Sequence, residues 1–146
     1  MPRTRAERRR DTLHLLETTV DAWVATADGE PYLVPLSYRW DGSTLLLATG
    51  ADTPTARNLT ATGEVRLGLG ATRDVVLVDG TIDVLAAADL PPGELDAFAA
   101  ATGFDPRRIT TPYRYFRVRP RRIRAWRESP VEARQDLMRD GHWIPD

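Results

Sequence analysis

The residues best placed to do chemistry lie in Leu45–Leu59, LLLATGADTPTARNL. Hydroxyls recur at Thr49, Thr53 and Thr55, and Arg57 and Asn58 follow. Leu45–Thr49 reads as the end of a buried strand and Gly50-Ala51-Asp52 as a turn. Thr53 can cap a helix whose first position is Pro54, where a missing N–H costs nothing. A strand that ends in small residues and runs into a capped helix leaves backbone N–H groups free. Hydroxyls and an arginine beside them make an anion site. An ordinary strand–helix connection with a solvated arginine is the competing reading of the same residues.

Other chemistries find less support. The chain has no cysteine, which excludes disulfides, thiolate metal sites and a cysteine nucleophile. Its two histidines, His14 and His142, are far apart in sequence, so no His-based metal site is expected. All 20 basic residues are arginine, which excludes a Schiff-base lysine and a Walker-type phosphate lysine. No Gly-x-Ser-x-Gly occurs, and Asp28, Asp41 and Asp79 each precede a glycine, where Asp has a turn-forming role. No catalytic residue is assigned.

The elements that must position the Thr49–Asn58 segment follow from pattern. At 146 residues, 42% hydrophobic and 28% charged, the chain fits one globular domain, 1–146, with its core at about 21–127. A helix is expected over about Arg5–Thr18, its arginine run a solvated face. Asp21–Asp28, Glu30–Trp40 and Ser43–Thr49 read as strands joined at Asp28-Gly29 and Asp41-Gly42. Pro35 cannot donate to a ladder, so that strand is an edge or carries a bulge there.

After a helix at about Pro54–Ala61, Glu64–Gly70 alternates as a strand. Arg73–Ala86 is a long strand, or two, bent at Asp79-Gly80. Ala87–Gly103 reads as helical, opened by Pro91-Pro92 and ended by Gly103, Tyr113–Arg127 as a long strand bulged near Pro120, and Pro130–Asp140 as a short helix before a loose tail. The sum is mostly β (α+β): a six-stranded antiparallel, partly open barrel with two or three peripheral helices.

A net charge of −1 carries no bias towards nucleic acid, yet nine arginines from Arg107 to Arg127 interleave with Tyr113, Tyr115, Phe116 and Trp126. That strand could form a nucleic-acid surface, or simply an amphipathic strand with an arginine face. No apolar run reaches the roughly 20 residues of a membrane span, and no signal core follows the N-terminal arginines, so a cytoplasmic location is expected.

The series WVATADGEPYLVPLSYRWDGSTLLLAT, TARNL, EVRLGLG, DVVLVDGTIDVL and YFRVRPRRIRAW resembles the pyridoxamine 5′-phosphate oxidase-like family of flavin-binding split β-barrels over about Asp21–Arg127. The resemblance implies a split barrel, a homodimer with cofactor sites at the subunit interface, and oxidoreductase chemistry with FMN or the deazaflavin coenzyme F-420. A non-catalytic flavin, haem or tetrapyrrole binder on the same fold is the alternative.

Under the resemblance, Leu33, Val34, Pro35, Leu36 and Ser37 line the flavin ring, mainly through backbone groups. Thr49 meets the ribityl chain or phosphate, and Arg57 and Asn58, with Thr55 near them, belong to the phosphate segment. Trp126 approaches the site, from the partner subunit. Thr55 stands where many members carry a second basic residue, which leaves Arg66 and Arg73 as compensating candidates.

Overall fold

The structure, a computed structural model, describes all residues from Met1 to Asp146. Its barrel grows from two Asp-Gly turns. Strands β1 (Asp21–Asp28) and β2 (Glu30–Trp40) form a hairpin about Gly29, whose φ of 83° favours glycine. Strand β3 (Leu45–Gly50) starts two residues later than expected. The Asp41 carboxylate accepts hydrogen bonds from the Ser43 and Thr44 N–H groups and from Thr44 Oγ1, which holds those residues in the turn.

Helix α1 (Arg5–Thr18) precedes β1, and α2 (Pro54–Thr62) follows β3. Then come β4 (Glu64–Ala71), β5 (Asp74–Leu85), α3 (Pro92–Thr102) and β6 (Tyr113–Arg127). The order β3-β2-β1-β4-β5-β6 closes through β3–β6 pairing into a six-stranded antiparallel barrel. The bend expected at Gly80 is a bulge. Asp79 pairs with Arg122 and Gly80 with Pro120, so Arg121 has no opposite residue. The core holds inward residues of every barrel strand, among them Val24, Leu47, Leu67, Val78 and Val118, together with Ala56 and Leu59 of α2.

Beyond the barrel, α3 opens at Pro91-Pro92 and ends at Gly103 as expected, and only the start of the Ala87–Gly103 reading departs: Ala87–Asp89 is one 3-10 turn, which Pro91 separates from the helix. The helix expected over Pro130–Asp140 does not form. Asp136–Arg139 is strand β7 and His142–Trp143 is β8, a hairpin turning through Asp140 (φ 53°) and Gly141 (φ 79°). β7 pairs with β6 and buries Leu137 and Met138, so strand pairing overrides the local pattern.

The N-terminal arginines are not all solvated either. Arg8 is buried on α1, at one-turn spacing from Thr12 and Leu16, and donates to the carbonyls of Ala125 and Ala133. His14 stays on the surface. No helix is long and apolar enough to cross a membrane.

Candidate functional site

The barrel is open along one seam, between β2 and β3. The two strands pair only over Tyr38–Trp40 and Leu45–Leu47. Continued, that register would set Ser37 opposite Ala48 and Leu36 opposite Thr49. Instead β3 beyond Leu47 pairs with β6 alone, Ala48 facing Tyr115, Thr49 facing Arg114 and Gly50 facing Tyr113. Residues Glu30–Ser37 of β2 pair only with β1.

The direction of the free backbone groups follows from antiparallel alternation. Tyr38 N–H donates to Val20 C=O at 2.8 Å, on the β1 side, and Asp41 N–H donates to Thr44 C=O at 3.1 Å, on the β3 side. Even-numbered residues of β2 therefore bond to β1, and odd-numbered ones point their polar groups towards the seam. Leu33 and Ser37 direct N–H and C=O groups there without a strand partner, and Pro35 directs a C=O. Of the two readings at Pro35, edge or bulge, the structure has the edge: the β2–β3 ladder has already ended there, and Pro35 sits where its missing N–H breaks no strand bond. Leu33 and Pro35 are exposed, Val34, Leu36 and Ser37 half-buried, and Ser37 Oγ donates to Asp21 Oδ1 at 2.7 Å.

The strand–turn–helix segment is built as its residues dictate. Thr53 caps α2, accepting from the Ala56 N–H at 3.1 Å, and Thr49 Oγ1 lies 3.4 Å from Thr53 Oγ1. The turn satisfies most of its own donors. Ala51 N–H reaches Pro112 C=O, Thr53 N–H reaches Gly50 C=O, and Arg57 N–H reaches Thr53 C=O. The nest of free N–H groups is thus reduced to Asp52 and Thr55, and side chains must supply most of any grip on an anion.

α2 then sends its side chains three ways. Thr55, 1% exposed, is buried with Ala56 and Leu59. Asn58 Nδ2 donates to Thr26 Oγ1 at 3.1 Å, tying α2 to β1. Arg57 is exposed, its guanidinium bonded to the Asp52 carbonyl, and lines a cleft of about 360 Å³ with Ala51, Ala56, Ala61, Val84 and Arg114.

Arg114 is the residue the sequence reading missed. It is the cross-strand neighbour of Thr49, a relation created when β6 closes the barrel and invisible in local pattern. The two compensating candidates are elsewhere. Arg66 is bidentate to Asp79 at 2.6 and 2.9 Å, and Arg73 lies exposed in the β4–β5 turn.

Trp126 is also remote within one chain. It pairs with Val75, twelve residues along β6 from Arg114, roughly 40 Å of strand. Its ring is covered by the Arg134 guanidinium at 4.8 Å, and its Nε1 donates to Glu128 Oε1 at 3.2 Å. The structure thus unites Thr49, Arg57 and Arg114 at one rim of the barrel and sets the β2 edge across the seam.

Four of the seven arginines on β6 have acidic partners, and Arg114, Arg121 and Arg124 have none. Arg117 pairs with Asp41 and Glu94, Arg119 with Asp83, Arg122 with Asp136 and Arg127 with Asp74. Arg107, just before the strand, pairs with Asp96 and Asp105.

A six-stranded antiparallel barrel opened along one seam, with a capped helix at its rim, defines the split-barrel class. The family model described as pyridoxamine 5′-phosphate oxidase (PNPOx_N) matches residues 13–127, and the chain belongs to that family. Comparison with curated proteins gives no match.

Among solved structures, it is similar to the protein Atu2129 from Agrobacterium tumefaciens (TM-score 0.70, 19% identity, 90% of this chain and 61% of that one). A FAD-binding protein (mll6688) from Mesorhizobium loti aligns with TM-score 0.64 and 22% identity over 79% of this chain and 89% of that one. An F-420 reductase aligns with TM-score 0.57 and 21% identity over 75% and 93%. At such identities these likenesses establish the fold.

Proposed function

We propose that this protein is an oxidoreductase that binds FMN, or the deazaflavin coenzyme F-420, and works as a homodimer. The observation that carries the reading is the seam. Unpartnered backbone groups of Leu33, Pro35 and Ser37 lie along one side, and Thr49, Arg57 and Arg114 stand at the rim on the other. These residues fit the group. Val34 and Leu36, on the inner face of β2, offer apolar surface to a flat ring, and the edge N–H and C=O groups of Leu33 and Ser37 can meet its polar rim. Names of similar structures that mention FAD and F-420 point the same way.

The cofactor, when bound, supplies the hydride chemistry. This chain's residues would bind and orient it and keep water from its face. No protein acid or base is assigned.

The dimer rests on the outer barrel face. Trp23 is 55% exposed and Leu33 59% exposed. Trp23 pairs across β1–β2 with Pro35 and Leu33 with Ala25, so all four share one face of the sheet. Such a contiguous apolar face suits an isologous contact between two copies. A second copy is also what could bring Trp126 near a seam that its own chain leaves distant.

The test is titration of purified apo-protein with FMN and with F-420, read by tryptophan quenching, followed by turnover. Saturable binding of one of them, with reduction of a quinone, nitroaromatic or enone acceptor by the reduced cofactor, is expected. Absence of binding to both would overturn the reading; binding without turnover of any acceptor would leave a carrier or sequestering protein instead.

A further inference from the structure

We infer that a second cleft, at the opposite end of β3 from the seam rim, binds a small amino-acid zwitterion, its carboxylate at Arg39 and its ammonium at Glu94 and Asp41. The cleft has a volume of about 680 Å³ and lies between the end of β2, the turn into β3, the first turn of α3 and the middle of β6. That volume is within the range of small-molecule sites. Ala97 is the one apolar residue in its walls, so a polar ligand is required. Thr44, on this cleft, stands roughly 17 Å of strand from Thr49 at the rim.

The charges in the walls form two separated poles. Arg117 is largely buried, and its guanidinium donates to Asp41 Oδ2 at 3.4 Å, to Thr44 Oγ1 at 3.0 Å and to Glu94 Oε1. One arginine shared between two carboxylates leaves this group with one net negative charge. Glu94 Oε2 accepts no hydrogen bond within the chain, so an acceptor is free beside Arg117. Arg119 adds no net charge, because its Nε is bonded to Asp83 Oδ2 at 2.7 Å.

Arg39 is the positive pole. It is half-buried on β2, beside Leu46 across the β2–β3 ladder, and Leu46 is packed under α3 with Leu95 and Phe98. Its guanidinium has no acidic partner, although Asp41 and Glu94 line the same cleft. The two poles therefore stand apart across it and do not neutralise each other. A molecule with a carboxylate at one end and a primary ammonium at the other is complementary to both, through charge-assisted bonds and with no net charge brought in. Gly93 keeps the entrance open: a Cβ there would meet nothing within 4 Å.

This site is independent of the function proposed above. The experiment titrates the full chain by calorimetry with glycine and with γ-aminobutyrate at millimolar concentration. Acetate and methylammonium, each carrying one of the two charges, are the comparators. The proteins are wild type, Arg39→Gln, Glu94→Gln and Gly93→Leu.

At least one zwitterion is expected to bind wild type saturably, about tenfold or more tightly than either comparator. Arg39→Gln and Glu94→Gln should each weaken that binding about tenfold or more. Gly93→Leu should abolish it with no fall in melting temperature, since the new side chain enters open space. Should Glu94→Gln unfold for want of its contact to Arg117, Arg39→Gln decides, because it breaks no bond within the protein. The inference falls if neither zwitterion exceeds the comparators, or if any folded variant binds as wild type does.

Discussion

Arg3 holds the buried carboxylate of Glu132, 129 positions away, through two guanidinium bonds, Nη2 to Oε1 at 2.8 Å and Nε to Oε2 at 3.1 Å. The Arg3 N–H adds a third bond to Oε2 at 2.7 Å, and the Arg127 N–H reaches Oε1 at 2.9 Å. The arrangement staples the start of α1 to the segment after β6. Removing the carboxylate leaves Arg3 and buried Arg8 without their shared counter-charge. Glu132→Ala should therefore lose about 3–5 kcal/mol of stability in urea unfolding. A loss under 1 kcal/mol would mean that the staple is dispensable.

The same contact predicts acid sensitivity. The hydrogen bond from Arg3 holds the Glu132 carboxyl down at about 2, against an ordinary value of 4.5. A lowered folded-state value stabilises the fold above the unfolded value, and that contribution is lost as pH falls from about 4.5 towards 2. Melting temperature should fall across this window more steeply in wild type than in Glu132→Gln. Equal slopes would remove Glu132 as the cause.

Arg57→Ala should weaken FMN binding by one to two decades, the worth of about 1.5–3 kcal/mol for a charge-assisted bond. Its side chain is exposed and makes no ion pair, so melting temperature and molecular mass should stay unchanged. Unchanged affinity in a stable protein would place the anion site elsewhere.

The apolar face of β1 and β2 predicts the assembly. Leu33→Asp puts a charge at the centre of the surface formed with Trp23 and Pro35. The variant should sediment as a folded monomer where the wild type sediments as a dimer. A dimer of unchanged strength would show that this face is not the contact.

Gly80→Ala tests the bulge. A Cβ there would lie 2.7 Å from the Arg119 carbonyl oxygen, which is backbone and cannot swing away. A loss of about 1–3 kcal/mol is expected. Gly68→Ala is the control, since its Cβ would meet only ordinary contacts at 3.8 Å or more. Equal effects of the two substitutions would contradict the close approach at the bulge.

The barrel strands and the α2 cap were legible in the sequence because their causes are local. The Asp28-Gly29 and Asp41-Gly42 turns, the alternation of Val65, Leu67 and Leu69, and Thr53-Pro54 at a helix start all act within a few residues. A third Asp-Gly hairpin, at Asp140-Gly141, carried the same signal, and the helical reading of the preceding residues masked it.

Only the tertiary structure decided which charges meet. Closure of β3 against β6 places Arg114 opposite Thr49, and docking of α1 brings Arg3 to Glu132. It buries Thr55 while leaving Arg57 free, and it ends the β2–β3 ladder so that the edge of Leu33–Ser37 stays unpaired. Turn chemistry and hydrophobic period are properties of neighbouring residues. Strand closure and charge pairing join residues tens of positions apart, and a chain reveals those partners only once it is packed.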